Sequence, residues 1–339
     1  MLIVYLISFG KDEHLMLVSV LLFLLGLILL IKGGDWFVDG ATSLSRRFHI
    51  PELLIGATVV SIGTTLPEVM VSATSAIQGI GSFAYGNAIG SIICNTSLIA
   101  ALTMAIAPCT CERKSLITPV CFFFGAAVIY CVASYGLKSF PRWIGIILLA
   151  IFAVYMILQV KAALSVQSLT PSENETAAAE ETPLYKDILL LVLGAACIAI
   201  GAKLLVEHGQ IIASGLGVPQ SVIGLTFVAL GTSLPELVTA ITSLVKGHGA
   251  LSLGNIIGAN LFNLVLVSGL SITLSPFDLP CEKTVFGGMN AALVIDLPLM
   301  LLVMLIMCVP ALKNGRLKRW QGIVLLCIYA AFTAFQFIG

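Results

Sequence analysis

The hexapeptide Gly63-Thr64-Thr65-Leu66-Pro67-Glu68 returns as Gly231-Thr232-Ser233-Leu234-Pro235-Glu236, 168 residues further on. Ile55-Gly56 returns as Ile223-Gly224 at the same offset. So do Gly86-Asn87-Ala88-Ile89-Gly90, as Gly254-Asn255-Ile256-Ile257-Gly258, and Asn95, as Asn263. A spacing held constant through two helices and a loop marks a duplication. The chain must fold as two related halves, each with a Pro-Glu pair inside an apolar stretch.

The solvent for those halves is lipid. Only 10% of the 339 residues are charged and 59% are hydrophobic, and the mean hydropathy is +1.08. A soluble domain keeps about a quarter of its residues charged, so this chain cannot cover a surface facing water. Runs such as Leu15 to Ile31 and Leu116 to Ala133 approach the roughly 20 apolar residues of a membrane-spanning helix. Cutting at charges, Gly and Pro gives ten spans, at 15–44, 50–78, 82–107, 115–137, 141–162, 184–214, 218–246, 249–275, 285–309 and 318–338. Met1 to Phe9 is too short to span by itself and lacks the layout of a cleavable signal. The expected fold is an all-α membrane protein of ten transmembrane helices.

Residues 163–183 (ALSVQSLTPSENETAAAEETP) are polar, acidic and Pro-containing, and read as a disordered linker. They separate a first repeat at 1–162 from a second at 184–339. Five spans per half is an odd number, so the second half enters the membrane upside down. Inverted repeats with a site at their interface near the midplane are a recurring transporter architecture. Loops after spans 1, 3, 5, 7 and 9 carry eleven basic residues against four on the other side. This puts the linker in the cytoplasm and both termini outside, as for a multi-pass protein of the plasma (inner) membrane.

Net charge is zero and no basic patch is interleaved with aromatics, which argues against nucleic acid as a partner. No protein partner and no cofactor are expected. Most of the nine cysteines lie in apolar runs, where they behave as small hydrophobes. Cys109 and Cys111 form a CxC with no second Cys/His pair nearby, and the four histidines are scattered near helix ends.

Glu68 and Glu236 fall in the middle of spans 2 and 7. A carboxylate at bilayer depth costs several kcal/mol and normally faces a partner or a wet cavity. Residues three and four apart share a helix face, so Ser61, Thr64, Thr65 and Glu68 make one stripe and Ala229, Thr232, Ser233 and Glu236 another. Pro67 frees the carbonyl of Gly63 and Pro235 that of Gly231. Carbonyls, hydroxyls and carboxylates are hard oxygen ligands, and Ca2+ takes about 6–8 of them in flexible geometry. Ser91 and Asn95 in span 3, with Ala259 and Asn263 in span 8, supply further walls. The glycines of the motif allow close helix approach. Lys32 with Asp35 and Asp39, and Lys203 with Glu207, read as local ion pairs near helix ends.

GTTLPE and GTSLPE, each followed by GN(A/I)IG(S/A)xxxN, resemble the repeats of sodium/calcium exchangers in the cation/calcium antiporter superfamily. The resemblance covers nearly the whole chain. It implies a non-enzymatic antiporter in which spans 2, 3, 7 and 8 hold adjacent sites for one Ca2+ and three Na+. Glu68 and Glu236 would be the main Ca2+ ligands, with Thr64, Thr232 and the carbonyls of Ser61 and Ala229. Thr65, Ser91, Ser233 and Asn95 would line the Na+ positions, and spans 1 and 6 would slide across the core. Ser61, Ala259 and Asn263 depart from the family pattern, where Ala, Ser and, in some relatives, Asp are common. The missing acid at Asn263 argues against K+ transport. Two ionised glutamates carry −2, which one Ca2+ neutralises and three Na+ convert to +1, so exchange would be electrogenic.

Other readings stand beside this one. In a Ca2+/H+ antiporter, a proton would replace sodium at one of two mutually repelling carboxylates. An antiporter for another divalent ion and a channel are further possibilities. A hydrolase is disfavoured by the lack of HExxH and GxSxG.

Overall fold

The structure is a computed structural model that describes residues 2–108, 110–169, 183–215, 231–281, 284–285 and 287–338. Among the described residues are ten helices: α1 (Leu2–Arg47), α2 (Glu52–Ile77), α3 (Gly81–Ile106), α4 (Arg113–Leu137), α5 (Arg142–Leu169), α6 (Leu184–Gly215), α7 (Leu234–Val245), α8 (Gly249–Leu274), α9 (Ala292–Asn314) and α10 (Arg319–Ile338). Eight of them are long and apolar enough to cross a membrane. Hydrocarbon offers the backbone no hydrogen-bond partners, so each apolar run closes its own ladder as a helix.

Four boundaries differ from the sequence reading, the first being span 9, expected at 285–309: α9 starts at Ala292 and runs to Asn314, because a short hairpin of Thr284–Val285 with Met289–Asn290 comes before it. α1 begins at Leu2 and runs 46 residues without a break, so Leu2 to Phe9 is not set apart from span 1. α5 continues to Leu169, which puts the start of the expected linker in a helix; residues 170–182 lie outside the described ones. Span 7 is not one uninterrupted helix across the motif. Thr232 and Ser233 form a turn, and α7 starts at Leu234 with Pro235 in its first two positions. Small hydroxyl residues followed by proline are a helix start, because proline lacks the N–H that would be orphaned there anyway. Residues 216–230 lie outside the described ones.

Helix ends are set by left-handed residues, among them Gly79 (φ 80°) and Gly247 (φ 82°). These two are themselves 168 apart, so the sequence echo extends to backbone conformation. Turns of π-helix interrupt α2 at Gly56–Val60, α3 at Asn95–Ala100 and α8 at Asn263–Val267. The last two start at the paired asparagines. Such turns free backbone groups from the regular ladder and are frequent at functional sites.

α8 is the central helix, buried from Leu251 through Phe262. It lies directly against α2: a Cβ on Gly254 would strike the Leu53 carbonyl, and one on Gly258 would stand 2.7 Å from Ala57 Cα. On the flank, α1 and α6 run antiparallel along a glycine seam. Gly26, Gly33 and Gly40 recur every seventh residue on α1, opposite Gly201, Gly194 and Asp187 on α6. A Cβ at Gly26 would lie 2.9 Å from the Gly201 carbonyl oxygen, at Gly33 2.9 Å from that of Gly194, and at Gly40 2.8 Å from that of Asp187. Arg47 Nε closes the pair with a 3.0 Å ion pair to Asp187.

The connecting loops pair in twos. On one side, β1 (Ser139–Phe140) pairs antiparallel with β2 (Phe277–Asp278), and a short hairpin joins β3 (Thr284–Val285) to β4 (Met289–Asn290). On the other side, Thr110 bridges to Arg316.

Candidate cation site

α2 and α7 bring the two motif glutamates to the middle of the bundle. Both are 0% exposed, and they lie close enough for each to act electrostatically on the other. Neither carboxylate has a hydrogen-bond partner among the described residues. The same holds for the buried side-chain oxygens of Thr65, Ser233, Asn95 and Asn263. Buried polar groups are normally paired, and a buried charge is paired or bound to a metal. Here unpaired oxygens are concentrated on the motif positions and belong to four helices. All are hard donors suited to an alkali or alkaline-earth cation.

The surrounding hydrogen bonds hold those donors in place. Ser61 Oγ donates to Gly56 O (2.7 Å) and approaches Asn255 at its carbonyl O (3.0 Å) and Oδ1 (3.3 Å). Thr64 Oγ1 lies 3.2 Å from Asn255 Oδ1 and also faces the Glu236 carboxylate. Asn87 Nδ2 donates to Ser72 Oγ (2.8 Å) and to the Glu68 carbonyl (3.4 Å). Thr239 Oγ1 donates to the Pro235 carbonyl at 2.8 Å, and Ser268 Oγ donates to that of Asn263 at 3.1 Å. The Ser61 hydroxyl is thus engaged with α8, and its carbonyl accepts from Thr64 Oγ1 at 3.5 Å. Ser91 is buried one turn before Asn95, and Thr232 is partly exposed in the turn before α7. Ala229 lies outside the described residues. A small cavity between Phe37, Ala195 and Ile198 on α1 and α6 and Thr64, Pro67 and Pro235 opens beside the glutamates.

Asn87 and Asn255 were legible only as motif positions. Their shared offset was the signal that they matter, and their amides turn out to brace α2 from both repeats. Cys94 carried no signal: it is buried next to Asn95, where its sulfur accepts from the Tyr329 hydroxyl of α10 at 3.8 Å.

Elsewhere the ion pairs depart from the local ones expected. Asp35 and Asp39 pair with Lys246 at the end of α7 (3.4 and 2.8 Å) rather than with Lys32. The reason is that α1 lies against α7, where a Cβ on Gly34 would touch Thr242. Lys203 does pair with Glu207, at 3.8 Å and in an exposed position. Among the described residues, no three His, Cys, Asp or Glu side chains converge as a metal cluster. Cys109 is outside them, and burial pushes the Cys111 thiol up, away from the thiolate a soft metal needs.

The family model described as sodium/calcium exchanger protein matches residues 18–161 and 186–338. The sodium/calcium exchanger MaX1 of Methanosarcina acetivorans is 31% identical over 357 residues, covering 94% of this chain and 99% of its own. The inner membrane protein YrbG of Escherichia coli is 36% identical over 268 residues, covering 77% of this chain and 81% of its own. A structure of the sodium-calcium exchanger NCX_Mj, soaked with Na+ and Sr2+, superposes with a TM-score of 0.76 at 32% identity. It covers 94% of this chain and 99% of that one.

Proposed function

The chain belongs to the sodium/calcium exchanger family, and we propose that it is a secondary antiporter exchanging Na+ for Ca2+ across a membrane by alternating access. The observation that carries this reading is the cluster of buried, unpartnered hard oxygens on repeated motif positions, Glu68 and Glu236 among them.

Glu68 and Glu236 hold Ca2+, with Thr64, Thr232 and the carbonyls of Ser61 and Ala229. Thr65, Ser91, Ser233, Asn95 and Asn263 line the Na+ positions. Both loads compete for the same two carboxylates, which makes transport coupled rather than leaky. Two ionised carboxylates in a low-dielectric interior must be neutralised, and a bound cation does so. Exchange of one load for the other keeps the carboxylates compensated throughout the cycle. With three Na+ for one Ca2+, each cycle moves one net charge. The ten spans form two five-helix repeats inverted about the site, at 1–162 and 184–339. The side bearing residues 163–183 is cytoplasmic, the termini are outside, and the membrane is the plasma membrane.

The test is calcium uptake into proteoliposomes. Sodium-loaded vesicles diluted into sodium-free buffer take up radioactive calcium, vesicles loaded with potassium or choline do not, and Glu68→Gln abolishes the flux. Uptake that follows a pH gradient without sodium would replace the sodium coupling with proton coupling.

A further inference from the structure

The side-chain amide of Asn260 on α8 ties three helices together. It is fully buried, as are Thr96 on α3 and Met304 on α9. Asn260 Nδ2 lies 2.7 Å from Thr96 Oγ1 and 3.2 Å from Met304 Sδ. Thr96 Oγ1 also lies 3.3 Å from that sulfur, but its one proton goes to the Ile92 carbonyl at 2.8 Å. The Thr96 oxygen therefore accepts one amide hydrogen and the Met304 sulfur the other. Asn260 Oδ1 is left buried with no hydrogen-bond partner among the described residues. A buried acceptor without a partner is costly, so the amide is oriented for its two donor bonds at the expense of its oxygen.

Those bonds hold the point where α3 changes its winding. The π-helical turn Asn95–Ala100 starts one residue before Thr96. Thr96 folds its hydroxyl back onto Ile92, and Ser97 Oγ donates to the Ile93 carbonyl; hydroxyls that bond the preceding turn in this way often bend a helix. Asn260 grips the first of the two. Asn95, next to it in the chain, has its backbone fixed from α8, while its own amide has no partner at either atom among the described residues. The second half does not repeat the grip: the residue 168 after Thr96 is Leu264, and the one 168 before Asn260 is Ile92. There Ser268 Oγ donates to the Asn263 carbonyl at 3.1 Å, and the first-half counterpart of Ser268 is Ala100. Asn95 is thus held through a bond that crosses between the halves, and Asn263 through one within its own helix.

We propose that Asn260 is a positioning residue for Asn95: its bond to Thr96 sets the placement of the α3 π-turn, and with it sodium affinity, without touching the calcium ligands. The proposal rests on the assignment of Asn95 to a Na+ position. A hydrogen bond is worth a net factor of about five in an equilibrium, and apparent affinity falls in proportion to the binding-competent fraction. Loss of this bond should therefore raise half-saturating sodium about fivefold.

The experiment compares wild type with Thr96→Val, Thr96→Ser and the double variant Thr96→Val with Asn260→Leu. Half-saturating sodium and half-saturating calcium are measured separately in proteoliposomes, and Tm on each purified protein. Thr96→Val keeps the shape but removes the acceptor; sodium should shift about fivefold and calcium should stay unmoved. Thr96→Ser keeps the hydroxyl and should retain most of the sodium affinity. Thr96→Val alone strands a buried amide and should lower Tm. The double variant replaces both partners by apolar groups of similar shape, which is close to neutral for stability, so its Tm should return toward wild type while its sodium affinity does not. A bond that only stabilised the fold would bring both back together, and that result would overturn the proposal. So would sodium and calcium rising together, or neither moving; each of these leaves the exchanger reading in place. Should Thr96→Val fail to fold, the double variant decides alone. Wild-type flux that needs no sodium would remove the exchanger reading and this assignment with it.

Discussion

Replacing Gly258 with alanine tests whether backbone contact between α2 and α8 holds the ion site together. The added Cβ would stand 2.7 Å from Ala57 Cα and 2.9 Å from Ala57 C, and would also strike Ser61 Oγ. Carbon atoms are comfortable at about 3.5 Å or more, so the helices must part by roughly 0.8 Å. Overpacking of this kind costs about 1–3 kcal/mol. The functional loss should be larger than the stability loss. Ser61 begins the α2 segment that carries Thr64, Thr65 and Glu68, and its hydrogen bonds to Asn255 set the distance between the helices. A displacement near 1 Å can lower the rate of a positioned reaction on the order of 10²-fold. Sodium-dependent calcium uptake by Gly258→Ala should fall tenfold or more, with an apparent Tm only a few degrees lower. Adding Ser61→Ala removes the hydroxyl from the clash but leaves the Ala57 contact, so the double variant should recover part of the flux. Uptake and Tm both at wild-type values in Gly258→Ala would refute the reasoning.

Three further outcomes follow from the same geometry. Ala259→Ser adds a hydroxyl at a fully buried position beside the site and should lower half-saturating sodium a few-fold, read from calcium uptake at graded internal sodium. Asn263→Asp adds a third buried carboxylate next to Glu68 and Glu236; calcium should bind more tightly and leave more slowly, seen as slower turnover with lower half-saturating calcium. Lys246→Ala removes the ion pairs between α7 and Asp35 and Asp39 of α1. A part-exposed pair of this kind is worth about 0–1 kcal/mol, so the maximal rate should change by no more than about fivefold while both half-saturations hold; a large shift in either would place this lysine in the binding site.

The helices and the oxygen stripe were readable because both are local. Apolar run length fixes a span, and the i, i+3, i+4 rule puts Thr64, Thr65 and Glu68 on one face without knowledge of any neighbour. The offset of 168 then pairs Glu68 with Glu236. What stayed hidden was contact between helices. Cys94 sits among apolar residues on α3, and only the packing of α10 brings Tyr329 to its thiol. Asp35 and Asp39 had Lys32 within reach along their own helix, and the packing of α1 on α7 gave them Lys246 instead. The break before α7 was present as Thr232, Ser233 and Pro235, but the same letters in α2 sit inside a continuous helix. One sequence motif therefore has two local conformations, and the surrounding packing selects between them.

The glycine seam between α1 and α6 works as a ruler. Its marks fall every seven residues on both helices, at 26, 33 and 40 and at 187, 194 and 201. Each mark is a place where main chain meets main chain. Between the marks, Leu30, Phe37, Val38 and Ile198 are buried, whereas side chains such as Ile28 and Ile31 are exposed and can be exchanged for an apolar residue of similar length. The marks cannot, and neither can the count between them. Inserting a single residue in either helix would turn every later mark by about 100°, away from its partner. Two helices that share such a ruler have one register, and the contacts that set it are main chain on main chain along its length.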